Sequence, residues 1–193
     1  MHVTFEITNN ADFLNQYFEL REKTFKRVLG LSNFNGSGEL CDDKSDIFIA
    51  RIGQRVIGGV RIFGCSAEQR LPMELNTECL SKQLPALSLD NQGYCQWMRL
   101  TLTQETDIPF KELHRDFFLA LANATYDLGY RYGFCVSSKI HQRLYKQVFA
   151  KIGYLHSRCT GVSVGSEDDF DDLEHVLYVT DLKSSAHNQQ KSA

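Results

Sequence analysis

The stretch DIFIARIGQRVIGGVRIFG, residues 46–64, constrains the fold more than any other segment of the chain. It predicts two strands joined at Gly53-Gln54, a hairpin within a sheet. In the second strand, alternation places Ile57, Gly59, Arg61 and Phe63 on one side and Val56, Gly58, Val60 and Ile62 on the other. Both sides read as buried, so Arg61 lies where a guanidinium is expensive unless it is paired. Any fold for this chain must bring partners to that arginine.

The flanking segments predict an α/β order. A helix is expected from about Asp12 to Leu29, with Asp12 as N-cap and an apolar stripe of Leu14, Phe18, Phe25 and Val28. Arg21 fills the gap in that stripe, and Lys23, Lys26 and Arg27 lie on its polar flank. Residues 30–45, GLSNFNGSGELCDDKS, read as a loop. A mixed region over 64–93 contains Pro72 and Pro85 and a short helix near Leu75 to Leu84, and YCQWMRLTL at 94–102 is a strand. Phe110, Leu113, Phe117, Leu121, Ala124 and Leu128 mark a helix that Gly129 ends. YRYGFCVSS is a strand running into a helix on which Ile140, Leu144, Val148 and Ile152 recur every fourth residue. Two further strands, near 154–164 and 175–182, flank the acidic loop of Glu167, Asp168, Asp169, Asp171 and Asp172. Residues 1–183 therefore read as one α/β domain with a largely antiparallel sheet, and 184–193 as a disordered tail.

The bulk numbers narrow the function classes. A chain of 193 residues suits one well-packed domain, and its formal charge of −3 argues against nucleic-acid binding. No apolar stretch is long enough for a bilayer and the amino terminus has no leader pattern, so a cytoplasmic protein is expected. Cys41, Cys65, Cys79, Cys95, Cys135 and Cys159 are scattered without metal-ligand spacing, which predicts reduced structural thiols and no metal site.

The element order, with YGFCVSSKIHQRLYKQVFAKIGY as its late strand–helix unit, resembles the GNAT acyltransferase superfamily, and within it the acyl-homoserine-lactone (autoinducer) synthases and related N-acyl amino acid synthases. The motifs that carry the likeness are Arg21 with Phe25 on the first helix, the acidic pair Asp43 and Asp46, the strand arginine Arg61 and the late strand arginine Arg99. The resemblance implies a GNAT-like three-layer sandwich with a mixed, largely antiparallel sheet. It implies N-acyl transfer from an acyl-carrier-protein or coenzyme A thioester to the amine of an amino-acid-like acceptor, with S-adenosylmethionine as one such acceptor and no bound cofactor. Two family positions differ. The glutamate three residues before the late arginine is Gln96 here, and a neutral amide is no general base. The family tryptophan falls on Leu31, with Phe34 as a nearby aromatic. The glycines of the GNAT pyrophosphate loop are missing from QETDIPFKEL, and the tyrosine of many acetyltransferases is Phe149.

On this basis Arg21, Phe25, Phe34, Asp43, Asp46 and Arg61 are expected to shape the acceptor site, with Gln96 and Arg99 nearest the chemistry. The same charges also suit a structural network that pins loop to sheet. Strict alternation separates Gln96 from Arg99, which would converge only across a β-bulge, and Gln96 equally suits a core amide bonded to backbone. Ser137 and Ser138 are candidate donors to the thioester carbonyl, Ser138 serving equally as a helix N-cap. The basic faces Lys23, Lys26, Arg27 and Lys139, Arg143, Lys146 suit either solvent or an acidic acyl carrier protein. A catalytically silent relative that binds an acyl chain or carrier protein is the alternative function.

Overall fold

The computed structural model describes residues 2–103, 105–165 and 175–183. Seven strands, β1 (Thr4–Thr8), β2 (Asp46–Ile52), β3 (Arg55–Gly64), β4 (Tyr94–Leu102), β5 (Tyr132–Ser138), β6 (Leu155–Arg158) and β7 (His175–Asp181), form a sheet in the order β1-β2-β3-β4-β5-β7-β6. The helices are α1 (Ala11–Leu29), α2 (Leu80–Gln83), α3 (Phe110–Asp127) and α4 (Lys139–Lys151). The parallel pair β4–β5 amid antiparallel neighbours makes the sheet mixed, as expected. The acidic loop and the tail singled out in the sequence fall outside the described residues, as does Gln104.

The chain divides into two compact units: Met1–Phe63 with Trp97–Leu121, and Gly64–Gln96 with Ala122–Ala193. In the first, β1, β2 and β3 are antiparallel neighbours, with Thr4 opposite Arg51 and Asp46 opposite Ile62. The hairpin turns at Gly53, whose φ of 58° is a left-handed conformation that glycine adopts without steric cost. Every residue from Val56 to Phe63 is buried, so the strand with the arginine is enclosed on both faces.

Helix α1 starts one turn-position earlier than the sequence suggests. Asn10, not Asp12, is the N-cap: its side chain accepts from the backbone N–H groups of Asp12 and Phe13. Asp12 is left in the first turn, where its charge complements the helix dipole. The buried line is Tyr17, Arg21 and Phe25, four residues apart, while Val28 is exposed. The apolar stripe expected through Leu14 and Phe18 is the flank of that face rather than its centre.

In the second unit, β5 pairs in parallel with the start of β4, Tyr94 to Gln96 opposite Tyr132 to Phe134, and antiparallel with β7. The helix expected near 75–84 is only α2, because the preceding turns at Pro72–Glu74 and the following ones at Pro85–Leu87 are 3-10. The buried glutamate Glu74 holds this region. Its carboxylate accepts from the backbone N–H groups of Leu71 (2.9 Å) and Leu80 (2.7 Å) and from the Tyr94 hydroxyl (3.3 Å). Helix α4 buries Gln142, Val148 and Phe149, and Ile140 is exposed, so its inward face is rotated from the every-fourth-residue line. Strand β6 ends at Arg158, six residues short of the expected limit.

Candidate active site

Five charged side chains meet within the first unit. Arg21 from α1 is fully buried; its Nη1 and Nη2 donate to Asp42 Oδ1 and Oδ2 at 3.0 and 2.8 Å. Its Nε and Nη2 donate to the Gly36 carbonyl at 3.2 and 2.6 Å. Arg61 from β3, 1% exposed, donates through Nη1 to Glu39 Oε2 (2.6 Å) and Asp42 Oδ1 (3.1 Å). Arg99 from β4 grips Glu39 through Nε and Nη2, at 2.8 Å for the shortest bond. The question posed by the hairpin is thereby answered: the buried Arg61 has two carboxylates, each shared with another arginine.

Those carboxylates are Glu39 and Asp42, which corrects the expected pair. Asp43 is exposed, and Asp46 heads β2 with a carboxyl pushed up by burial. The short 3-10 turn Asp42–Lys44 causes the difference, since it turns Asp42 inward and leaves Asp43 outside. Burial pushes the Asp42 and Glu39 carboxyls up, but the arginine hydrogen bonds and charges outweigh it and hold both below their usual range. Both are ionised partners of the arginines at neutral pH. Exposure is graded across the network: the Asp42 side chain is 4% exposed, Arg99 9% and Glu39 24%. Solvent therefore meets Glu39 and Arg99 first.

The loop that carries Glu39 is seated closely on α1. Gly36 donates its N–H to Glu22, and a Cβ at Gly36 would run into the Phe18 carbonyl and the Glu22 backbone. Phe34 packs on Phe25 with ring centroids 4.9 Å apart, and the Arg99 guanidinium lies over Phe34 at 5.5 Å. Phe25 and Phe34 thus sit beside the network, with Phe34 under the Arg99 guanidinium.

Arg99 has φ of 58°, a left-handed conformation that a side chain with a Cβ rarely adopts. The two-residue alternation of β4 breaks there: Met98 places its sulfur 3.7 Å from Arg61 Nη2, and the next residue, Arg99, also reaches the network. Tyr17, fully buried, donates its hydroxyl to the Arg99 carbonyl at 2.9 Å. Burial pushes that phenol up to about 12, although the charge of Arg21 pulls the other way, so it remains a donor. Tyr17, Glu39, Asp42 and Met98 escaped the sequence analysis; the four-residue spacing of Tyr17, Arg21 and Phe25 was the available signal for the first.

Gln96 belongs to the second unit, where its Oε1 accepts from the Met73 backbone N–H at 3.1 Å. This matches its bland alternative, a core amide bonded to backbone. Ser137 is hydrogen-bonded to the Tyr145 phenol, and Ser138 caps α4 by accepting from the His141 N–H. Beneath α4, His156 is hydrogen-bonded through Nδ1 to Thr180 (2.8 Å) and through Nε2 to Gln142 (3.0 Å). Its ring stacks between Phe149 and Tyr178, at 4.9 Å from each. Burial, aided by the charge of Lys146, holds this imidazole down at about 4 and hence neutral.

Both basic faces are exposed: Lys23 and Arg27, with Glu105 at 3.5 and 3.8 Å, and Lys26, paired with Glu22, on α1, and Lys139, Arg143 and Lys146 on α4. None of the six cysteines is in a disulfide. Among the described residues no cluster of three or more His, Cys, Asp or Glu could hold a metal, and no helix is long and apolar enough to cross a membrane.

No protein-family model and no curated protein matches the sequence. Solved structures do match in fold. The acyl-homoserine-lactone synthase LasI superposes with a TM-score of 0.60 at 15% identity, over 94% of this chain and 90% of that one. FeeM, an N-acyl amino acid synthase from uncultured soil microbes, gives 0.62 at 12% identity over 95% and 93%. BjaI, a coenzyme A-dependent acyl-homoserine-lactone synthase with S-adenosylmethionine and isopentyl-CoA, gives 0.62 at 14% over 93% and 82%. Acetyltransferase structures, among them a nucleotide-linked sugar GNAT, share it too. The chain has the GNAT-like fold these proteins use.

Proposed function

We propose that the protein is an N-acyltransferase that moves an acyl group from a thioester to the amine of an amino-acid-like acceptor. The observation that carries this reading is the network of Arg21, Arg61 and Arg99 with Glu39 and Asp42, which solvent reaches chiefly at Glu39, 24% exposed, beside the nearly covered Arg99. A purely structural clasp has no need of an exposed end, and a zwitterionic acceptor finds there a carboxylate for its ammonium and a guanidinium for its carboxylate. The fold shared with LasI, FeeM and BjaI supports the same chemistry.

In the reaction the deprotonated amine attacks the thioester carbonyl. The ammonium first gives one proton to solvent; the C–N bond then forms, the C–S bond breaks, and the second proton lost from the attacking nitrogen is matched, through solvent, by the one the thiolate takes up as it leaves as a thiol. Glu39 is too strongly held as a carboxylate by its arginines to serve as an efficient base, and Gln96 has no basic atom. Positioning of the two reactants then supplies most of the acceleration. An acyl carrier protein is the donor that the exposed Lys139, Arg143 and Lys146 suit, since its acidic surface would be steered to them.

The test is a ladder of acyl-carrier-protein and acyl-CoA thioesters, each with S-adenosylmethionine, with pooled amino acids and without acceptor, followed by thiol release and product mass. Acceptor-dependent thiol release with an acylated amine is expected, and in Arg99→Ala the acceptor KM rises at least tenfold with the donor KM unchanged. Release from no donor with any acceptor overturns the enzyme reading. Carrier-protein binding without turnover is the outcome that the backbone-bound Gln96 favours for a silent relative.

A further inference from the structure

What holds Arg99 in place at the solvent-facing end of the network lies outside the five charges. Arg99 is one of three non-glycine residues among those described with positive φ, the others being Asn76 and Ser88. Asn76 follows a turn and Ser88 joins two 3-10 turns, whereas Arg99 lies inside a nine-residue strand. A left-handed residue there costs on the order of 1–3 kcal/mol and persists only where its surroundings impose it. The Arg99 carbonyl, redirected by this turn, accepts from the Tyr17 hydroxyl at 2.9 Å and from Thr101 Oγ1 at 3.4 Å.

Tyr17 is built into this role on every side. It is fully buried on the line of α1 that also presents Arg21, and the Arg21 guanidinium lies 5.3 Å from its ring centre. Its ring lies against β3 at Gly59, where a Cβ would come within 2.6 Å of Cδ2 and 2.8 Å of Cε2. The glycine of the GGVR stretch thus makes room for the ring whose hydroxyl reaches the backbone of the arginine on the next strand. Phenylalanine would fill the same space, so the hydroxyl is needed for the hydrogen bond and not for packing.

We propose that Tyr17 is a positioning residue of the acceptor site: its hydroxyl fixes the left-handed backbone of Arg99 and so sets where the Arg99 guanidinium meets Glu39 and the acceptor. Gly59 is its support. This rests on the acceptor-site reading above, and the test separates the two.

Tyr17→Phe is compared with wild type and with Tyr126→Phe, a change at an exposed position. Acceptor and donor KM and kcat are measured, and Arg99 Nε–H exchange is followed by 15N NMR. Tyr17→Phe is expected to raise the acceptor KM about tenfold with the donor KM within twofold of wild type, and to speed Arg99 Nε–H exchange by a similar factor. Gly59→Ala, which displaces the ring and leaves the hydroxyl in the sequence, should reproduce both effects. Acceptor and donor KM rising together in Tyr17→Phe would mark a merely structural tyrosine and overturn the proposal, as would unchanged acceptor KM and exchange. Should the wild type acylate no acceptor, the acceptor-site reading falls, and the Arg99 exchange rate still decides the matter: accelerated in both variants it supports the positioning role, unchanged it ends it.

Discussion

Asp42 accepts from two arginines and from the backbone N–H of Glu39, while Asp43 beside it is exposed. Removing one member of a buried ion pair leaves its partners charged and desolvated, which costs far more than a surface pair contributes. Asp42→Asn should therefore lower unfolding stability by about 3 kcal/mol, and Asp43→Asn should change it by less than about 0.5 kcal/mol. Urea unfolding of the two variants checks this, and equal effects would contradict the network. The pair also shows where the sequence was legible. Arg61 could be singled out because a strand has a fixed period, and a charged residue in an apolar run stands out against it. Its partners could not, because residues 30–45 have no period: which of Glu39, Asp42, Asp43 and Asp46 points inward is decided by one 3-10 turn.

At the scale of elements, the loop between α1 and β2 is held to the helix by backbone as much as by charge. Arg21 donates twice to the Gly36 carbonyl, Glu22 accepts the Gly36 N–H, and the glycine lies where any Cβ meets the Phe18 carbonyl and the Glu22 backbone. Backbone cannot yield as a flexible side chain does, so Gly36→Ala must lift the loop from α1. Stability is expected to fall by about 2 kcal/mol, within the usual range for overpacking. Acceptor-dependent turnover should fall with it, because Glu39 rides on the same loop, and donor KM should be unaffected. Stability measured beside the kinetic constants checks both; a normal acceptor KM in this variant would detach the loop from the site. Strand and helix limits were mostly legible, with β4 matching its expected range residue for residue. The left-handed turn inside β4 was not, since arginine carries no local signal for it; it is imposed by Tyr17 and the network from elsewhere in the chain.

Across the whole molecule the two units carry their titrating groups at different depths of the pH scale. In the second unit His156 titrates at about 4 in the folded chain against an ordinary 6.5. Between those values the unfolded chain binds a proton that the native state does not, so native stability falls as pH drops through that window. At about 1.4 kcal/mol for each pH unit of the window, the full loss is on the order of 3 kcal/mol. In the first unit Glu39 and Asp42 are held below their ordinary 4.5 and 3.8, so their contribution is whole above that range and is lost only as pH falls beneath it. Acidification from pH 7 to 4.5 should then open the second unit selectively. Hydrogen exchange, corrected for its intrinsic pH dependence, is expected to show α4, β6 and β7 losing protection over this range while α1, β2 and β3 keep theirs. His156→Gln retains a neutral hydrogen-bonding side chain, and it should flatten that response without moving the first unit's. If both units lose protection together above pH 4.5, or if His156→Gln leaves the response unchanged, His156 does not set the acid limit of the second unit, and its burial between Phe149 and Tyr178 carries no pH dependence.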